Sequence, residues 1–258
     1  MSKLVSGDGR THIASPLMQE SLVDRRVVAK THSEHEFAIM PDVTLIGIGG
    51  QSIFDRGREA LLPLAAEIAE LRPKHKMVIS VGGGTRVRHT VSIALDLGLP
   101  TGGIAQLVGA MEEANAVFLN ALLAKHGSIV MQREHFWELP LYLESGMLPI
   151  VISTPPYHFW EPPPEGGPLP AHGSDFGLFT KDPKKHADAK LIRRTTLDAL
   201  LADMPSELIL DEQLFRAWRT ARHVQRVQIV NGLRRGELSR ALAGEDVGTV
   251  IERTAAHE

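Results

Sequence analysis

Residues 43–57, VTLIGIGGQSIFDRG, decide how this chain reads. Five apolar, β-prone residues lead into Gly49-Gly50, and a polar segment then opens an amphipathic run. That order predicts a strand, a glycine turn and a helix start. Glycine tolerates positive φ and has no side chain to block approach, so backbone N–H groups at such a turn converge readily on an anion. The design returns at Met77–Val81, which runs into Gly82-Gly83-Gly84 and then Thr85-Arg86-Val87-Arg88-His89. Two strand-to-glycine elbows predict a parallel sheet with its ligand edge at the strand C-termini. Gly49, Gly50 and the adjoining Gln51, with Gly82, Gly83 and Gly84, read as anion-cradling turns or, blandly, as tight turns holding nothing. Arg86 and Arg88 stand near a helix N-terminus that favours anions, and a guanidinium suits phosphate or another oxyanion. A solvated pair is the alternative for them, and His89 reads as structural.

Outward from the elbows, helix alternates with strand. Leu61, Leu64, Ile68 and Leu71 recur at helical spacing, while Pro63 argues for a helix start later than the pattern, since proline fits the first turn. Pro73–Lys76 turns the chain into the second strand. Thr85 is the predicted N-cap of a helix to Leu97, ended by Gly98 and Pro100. A helix over Ile104–Lys125 puts Leu107, Met111, Ala114, Phe118 and Leu122 on one face, and His126 before Gly127 reads as its C-terminal cap. Strands are predicted at Ile129–Met131 and Leu148–Ser153. The expected class is α/β, a doubly wound, mainly parallel sheet sandwiched by helices.

Seven prolines between Pro155 and Pro170 make 154–172 a loop, and long irregular loops in compact domains are usually functional. Beyond it, Asp211–His223 reads as a helix with His223 as a cap, Val227–Val230 as a strand, Asn231-Gly232 as a turn, Glu237–Leu242 as a helix and Val247–Ile251 as a closing strand. Residues 1–36 are polar and weakly periodic, with a short helical pattern at Leu17–Val23. They read as an arm, disordered or wrapped on a partner subunit, and 37–258 as a single α/β domain carrying the proline-rich loop.

The chain has no Cys, which excludes disulfides, thiolate metal sites and cysteine nucleophiles. Any metal falls to His, Asp, Glu or backbone oxygen. A net charge of -3 gives no reason to expect nucleic acid or an acidic membrane as partner. Neither a run of transmembrane length nor a signal pattern is evident, so a cytoplasmic location is expected.

With these pieces placed, the chain resembles the molybdenum storage proteins of the amino-acid kinase fold, which also includes the uridylate kinases. The beta-type subunits are the nearer likeness. It rests on PDVTLIGIGGQSIFDRG (41–57), GGGTRVRHTVSIALDLGLP (82–100), LLAKHG (122–127), PPYHFW (155–160) and VQIVNGLRRGELSRALAGEDVGTVI (227–251). The resemblance implies a subunit of an oligomeric cage, a hexamer, filled with polynuclear oxomolybdate or oxotungstate clusters under control of ATP with Mg²⁺. Asp175 matches the Asp after the family's proline loop, near the phosphates and their magnesium, and a hard carboxylate oxygen suits that ion. Asp182 reads as a turn residue. His158 stands where the family's alpha subunit has a cluster-binding histidine. Glu134-His135 resembles an adjacent Glu-His pair of that subunit, two positions out of register, and His172 completes the candidate metal ligands. Each of these also reads as an ordinary surface residue.

Two departures qualify the resemblance. Kinases and storage proteins of this fold carry a lysine two positions before the Gly-Gly pair, where this chain has Gly47. Phosphoryl transfer depends on positioned positive charge around the γ-phosphate, so any kinase or ATPase step is expected to be weakened or lost. The family also places a helix and a strand, roughly two dozen residues, where Ser174-Asp175 here runs almost directly into Gly177–Pro183. Either the wall of a nucleotide-base pocket is lost or a segment is absent from this sequence; a sheet is hard to close without a central strand, which favours the second. The expected function is storage of oxomolybdate or oxotungstate in a homo- or hetero-oligomer, with ATP use weakened or delegated to a partner. The rivals are a uridylate-like small-molecule kinase and a catalytically silent structural subunit of a hetero-oligomer.

Overall fold

Residues 4–7, 10–13, 40–154, 178–181, 183, 185–202, 215, 218–219 and 223–253 are described by the computed structural model. The chain divides into two units, Met1–Pro41 and Asp42–Glu258. In the first, β1 (Leu4–Gly7) and β2 (Arg10–Ile13) pair antiparallel, Leu4 opposite Ile13 and Gly7 opposite Arg10. Polar, weakly periodic sequence predicts no strand there, but Asp8-Gly9 between two short runs is a hairpin signal in its own right. The helical pattern at Leu17–Val23 lies outside the described residues.

The second unit carries two sheets. In the larger, β3 (Val43–Ile48), β4 (Lys76–Val81), β5 (Ser128–Val130) and β6 (Leu148–Ile152) are all parallel, in the order β3-β4-β6-β5. The inner strands β4 and β6 are covered on both faces, which is why KMVISV and LPIVI read as nearly continuous apolar runs. The crossovers are α1 (Arg58–Leu71), α2 (Thr85–Asp96), α3 (Thr101–Leu123) and the short α4 (Leu139–Glu144). Ile48, Ile68, Ile79, Leu119 and Ile150 meet in the core between sheet and helices.

The smaller sheet joins β7 (Arg194–Thr196), β9 (Thr249–Glu252) and β8 (Arg226–Ile229), with β9 parallel to β7 and antiparallel to β8. Two helices accompany it, α5 (Leu197–Ala202) and α6 (Glu237–Leu242). The expected α/β class with a mainly parallel sheet and flanking helices holds. Among the described residues no strand joins the two sheets, and β3 stands at the edge of the larger with Leu45 68% exposed. The junction Asp175–Gly177 and the loop over 155–177 lie outside the described residues.

Three expectations are corrected. Helix α1 begins at Arg58, so Pro63 sits inside it rather than in its first turn. Pro63 and Glu59 are both exposed, so water can serve the carbonyl that proline leaves without a donor. Helix α3 buries Ala105, Val108, Glu112, Asn115, Ala116, Leu119 and Leu123, whereas Phe118 of the predicted face is 56% exposed. The helix is apolar around most of its girth, so periodicity does not single out the inward stripe. For the same reason Thr101–His126 is long and apolar enough to cross a membrane, contrary to expectation. Its buried Glu112 and Asn115 and its seat against β5, β6, α1 and α2 identify it as the core helix of this unit.

Candidate functional site

Parallel strands bring their C-terminal ends to one edge. The first elbow after β3, the second after β4, residues 131–138 after β5, and Ser153-Thr154 after β6 therefore share a side of the molecule. The elbows are locked together. Gly82 N–H donates to the Ile48 carbonyl at 2.9 Å. A Cβ on Gly50 would lie 2.0 Å from Gly84 N, so the two turns touch backbone to backbone and only glycine fits. Gly84 takes φ +73° and Gly83 packs under Val87.

The turn Phe54–Arg56, a short 3-10 helix, aims Asp55 across at α2. Its carboxylate accepts the Thr85 N–H at 2.7 Å and the Thr85 hydroxyl at 2.6 Å, and Gln51 Nε2 donates to that hydroxyl at 3.3 Å. Thr85 is thus the first helical residue rather than the N-cap, and the cap comes from the other elbow. A carboxylate at a helix N-terminus is favourably placed, and here the protein supplies its own.

Arg86 is exposed but fixed. It donates to Asn115 Oδ1, and its guanidinium lies 5.8 Å from the centre of the Phe118 ring. Asn115, fully buried, turns its amide to the Gly82 carbonyl at 2.7 Å. Arg88 and His89 are exposed on α2.

Gly47 faces a cleft of about 80 Å³ lined by Ile46–Gly49, Ser52, Ile53 and Leu64 on one side and Val230, Gly232, Leu233 and Leu238 on the other. A Cβ on Gly47 would meet nothing within 4 Å. The far wall is held by Glu67 of α1, which is buried and accepts Gly236 N–H at 3.1 Å and Ser239 N–H at 2.8 Å. No lining residue carries a charge.

After β5, Glu134 receives Arg133 Nε at 3.1 Å and His135 Nδ1 lies 3.0 Å from Glu138. These two candidate ligands are exposed. Among the described residues no three His, Asp or Glu side chains converge to hold a metal ion. Beneath them Glu112, 1% exposed, accepts the Thr154 N–H at 2.8 Å. Burial pushes its carboxyl up to about 7, against the pull of its hydrogen bonds to Thr154 and Ser153.

His158, His172, Asp175 and Asp182 lie outside the described residues. Asp55, Glu112, Asn115 and Arg133 were not legible as site residues. Glu112 and Asn115 had a signal, being polar residues at helical spacing with Ala105, Val108 and Leu119, but that pattern is also what a solvated stripe shows.

The model of the amino acid kinase family matches residues 42–132. The chain is 40% identical to the molybdenum storage protein subunit beta of Azotobacter vinelandii over 256 residues, covering 91% of this chain and 95% of that protein. It is 24% identical to a uridylate kinase of Methanobrevibacter smithii over 229 residues, 80% of this chain and 97% of the other. Solved structures of similar fold include the UMP kinase from Bacillus anthracis, with TM-score 0.61 at 19% identity over 82% of this chain and 96% of that one. The uridylate kinase from Archaeoglobus fulgidus has TM-score 0.61 at 19% identity over 81% and 99%. The 256 positions aligned with the storage subunit draw on 91% of 258 residues, about 235, so some twenty positions of that relative face no residue here.

Proposed function

This chain belongs to the molybdenum storage protein family, on the amino acid kinase fold, and from that membership we propose that it is a storage subunit binding polynuclear oxomolybdate or oxotungstate inside an oligomeric cage. The observation that carries the proposal is the alignment with a storage subunit at 40% identity over 95% of its length. The exposed apolar side chains Ile93, Leu97, Val117 and Phe118 on and beside α2 and α3 support assembly, since such surface is usually covered by a partner. His158, His172 and His135 are the histidines proposed to meet the cargo, through ligation or hydrogen bonds to oxide oxygens.

ATP fits poorly. The cleft at Gly47 is lined by apolar side chains, glycines and one serine, with no cation to balance a triphosphate. No step is therefore assigned to ATP or Mg²⁺ in this chain, and any nucleotide-driven filling falls to a partner subunit. The kinase reading is favoured by the fold of the uridylate kinases and opposed by Gly47; it requires turnover of ATP with a phosphate acceptor.

Elemental analysis of the native assembly from cells grown with molybdate or tungstate tests the proposal. Many metal atoms per chain are expected, and no more than trace metal would end it.

A further inference from the structure

Arg133 follows β5, and its Nη1 is buried without a hydrogen-bond partner among the described residues. Folded proteins rarely leave a buried donor unanswered, and a bound ion is one way such a group is satisfied. The group lies against α3 at Gly109, where a Cβ would stand 3.5 Å from Nη1 and 3.3 Å from Ile152 Cδ1. Glycine at that position is what lets the guanidinium in. Glu112, one turn further along α3, gives Oε2 to the Thr154 N–H and forms no ion pair with Arg133. The remaining contact is Nε on the exposed Glu134 carboxylate at 3.1 Å, a surface pair of the kind that holds weakly in water. Arg72 Nε is the other buried atom of this sort, but Arg72 is a strut whose Nη2 bonds the Gly146 carbonyl.

We infer that Arg133, seated against Gly109, is a subsite for a single tetrahedral oxyanion, which displaces Glu134 from the guanidinium. The planar fork offers two parallel N–H groups to two oxygens of one anion. Contacts of 3.3–3.5 Å around Gly109 suit one small anion rather than a cluster. The inference deepens the storage reading and depends on it only for the anion's identity, since molybdate, tungstate and phosphate share this chemistry.

Tungstate and phosphate are titrated separately, by calorimetry, into the native assembly from cells grown without added molybdate or tungstate. Saturable binding near one anion per chain is expected. Arg133→Met should weaken it about 10- to 100-fold, Arg133→Lys, which keeps charge but loses the fork, by less, and Glu134→Gln should tighten it by removing the competitor. If Arg133→Met does not fold, the Lys and Gln variants decide. Unchanged affinity in the Arg133 variants, or weaker binding in Glu134→Gln, overturns the subsite. Preference for tungstate assigns the anion to the cargo, and preference for phosphate to a phosphate source. An assembly that fills with metal in molybdate-grown cells but binds anion independently of Arg133 sinks the subsite alone. One that stays metal-free there but binds phosphate through Arg133 sinks storage alone.

Discussion

Gly47 lies near the end of β3 with open space where a side chain would point, so a lysine there meets no obstruction at its root. Gly47→Lys is expected to tighten ATP binding by about tenfold or more, the scale of a charge-assisted hydrogen bond to phosphate. Fluorescent-nucleotide titration measures it, and unchanged affinity would show that the lost cation is not what weakens the site. Glu112 makes a different prediction. Its folded carboxyl titrates at about 7, above the ordinary 4.5, so the unfolded chain releases that proton first. Its contribution is present at low pH and is lost as pH rises from about 4.5 through about 7, by up to about 3 kcal/mol. Glu112→Gln keeps an acceptor for the Thr154 N–H and removes the ionisation. Its melting temperature should exceed that of the parent near pH 8 and match it near pH 5. Equal gains at both would contradict the assignment. Neither Glu112 nor Arg133 could be picked from sequence, because their meaning lies in tertiary neighbours, Thr154 and Gly109.

The two elbows form one element. Asp55 from the first caps α2 after the second, so Asp55→Ala removes a cap and a cross-link together. A loss of about 1–2 kcal/mol is expected, the range of a helix cap, with faster amide exchange in the first turn of α2. Exchange that speeds uniformly, or not at all, would deny the coupling. Strand, glycine turn and helix were legible here because glycine pairs and apolar runs are local signals. The source of the cap was not, since Asp55 and Thr85 are thirty residues apart. Pro63 misplaced the start of α1 for a related reason. Whether proline disturbs a helix depends on which side of it meets water, and that is decided by packing. The inward face of α3 was obscured by apolar residues all round it.

At the scale of the molecule, the parallel order β3-β4-β6-β5 was readable from alternating helix and strand, whereas the division into two sheets was not. The described strands leave β3 at an edge, in keeping with a chain some twenty residues shorter than its storage relative across the aligned stretch. Exposed Leu45 on that edge and the apolar side chains of α2 and α3 are surfaces that assembly would cover. Storage and assembly therefore belong in one measurement, native mass spectrometry of the complex purified from tungstate-grown cells. A closed oligomer heavier than its polypeptides by discrete tungsten oxide clusters is expected; an assembly, or a monomer, whose mass is accounted for by protein alone would contradict storage.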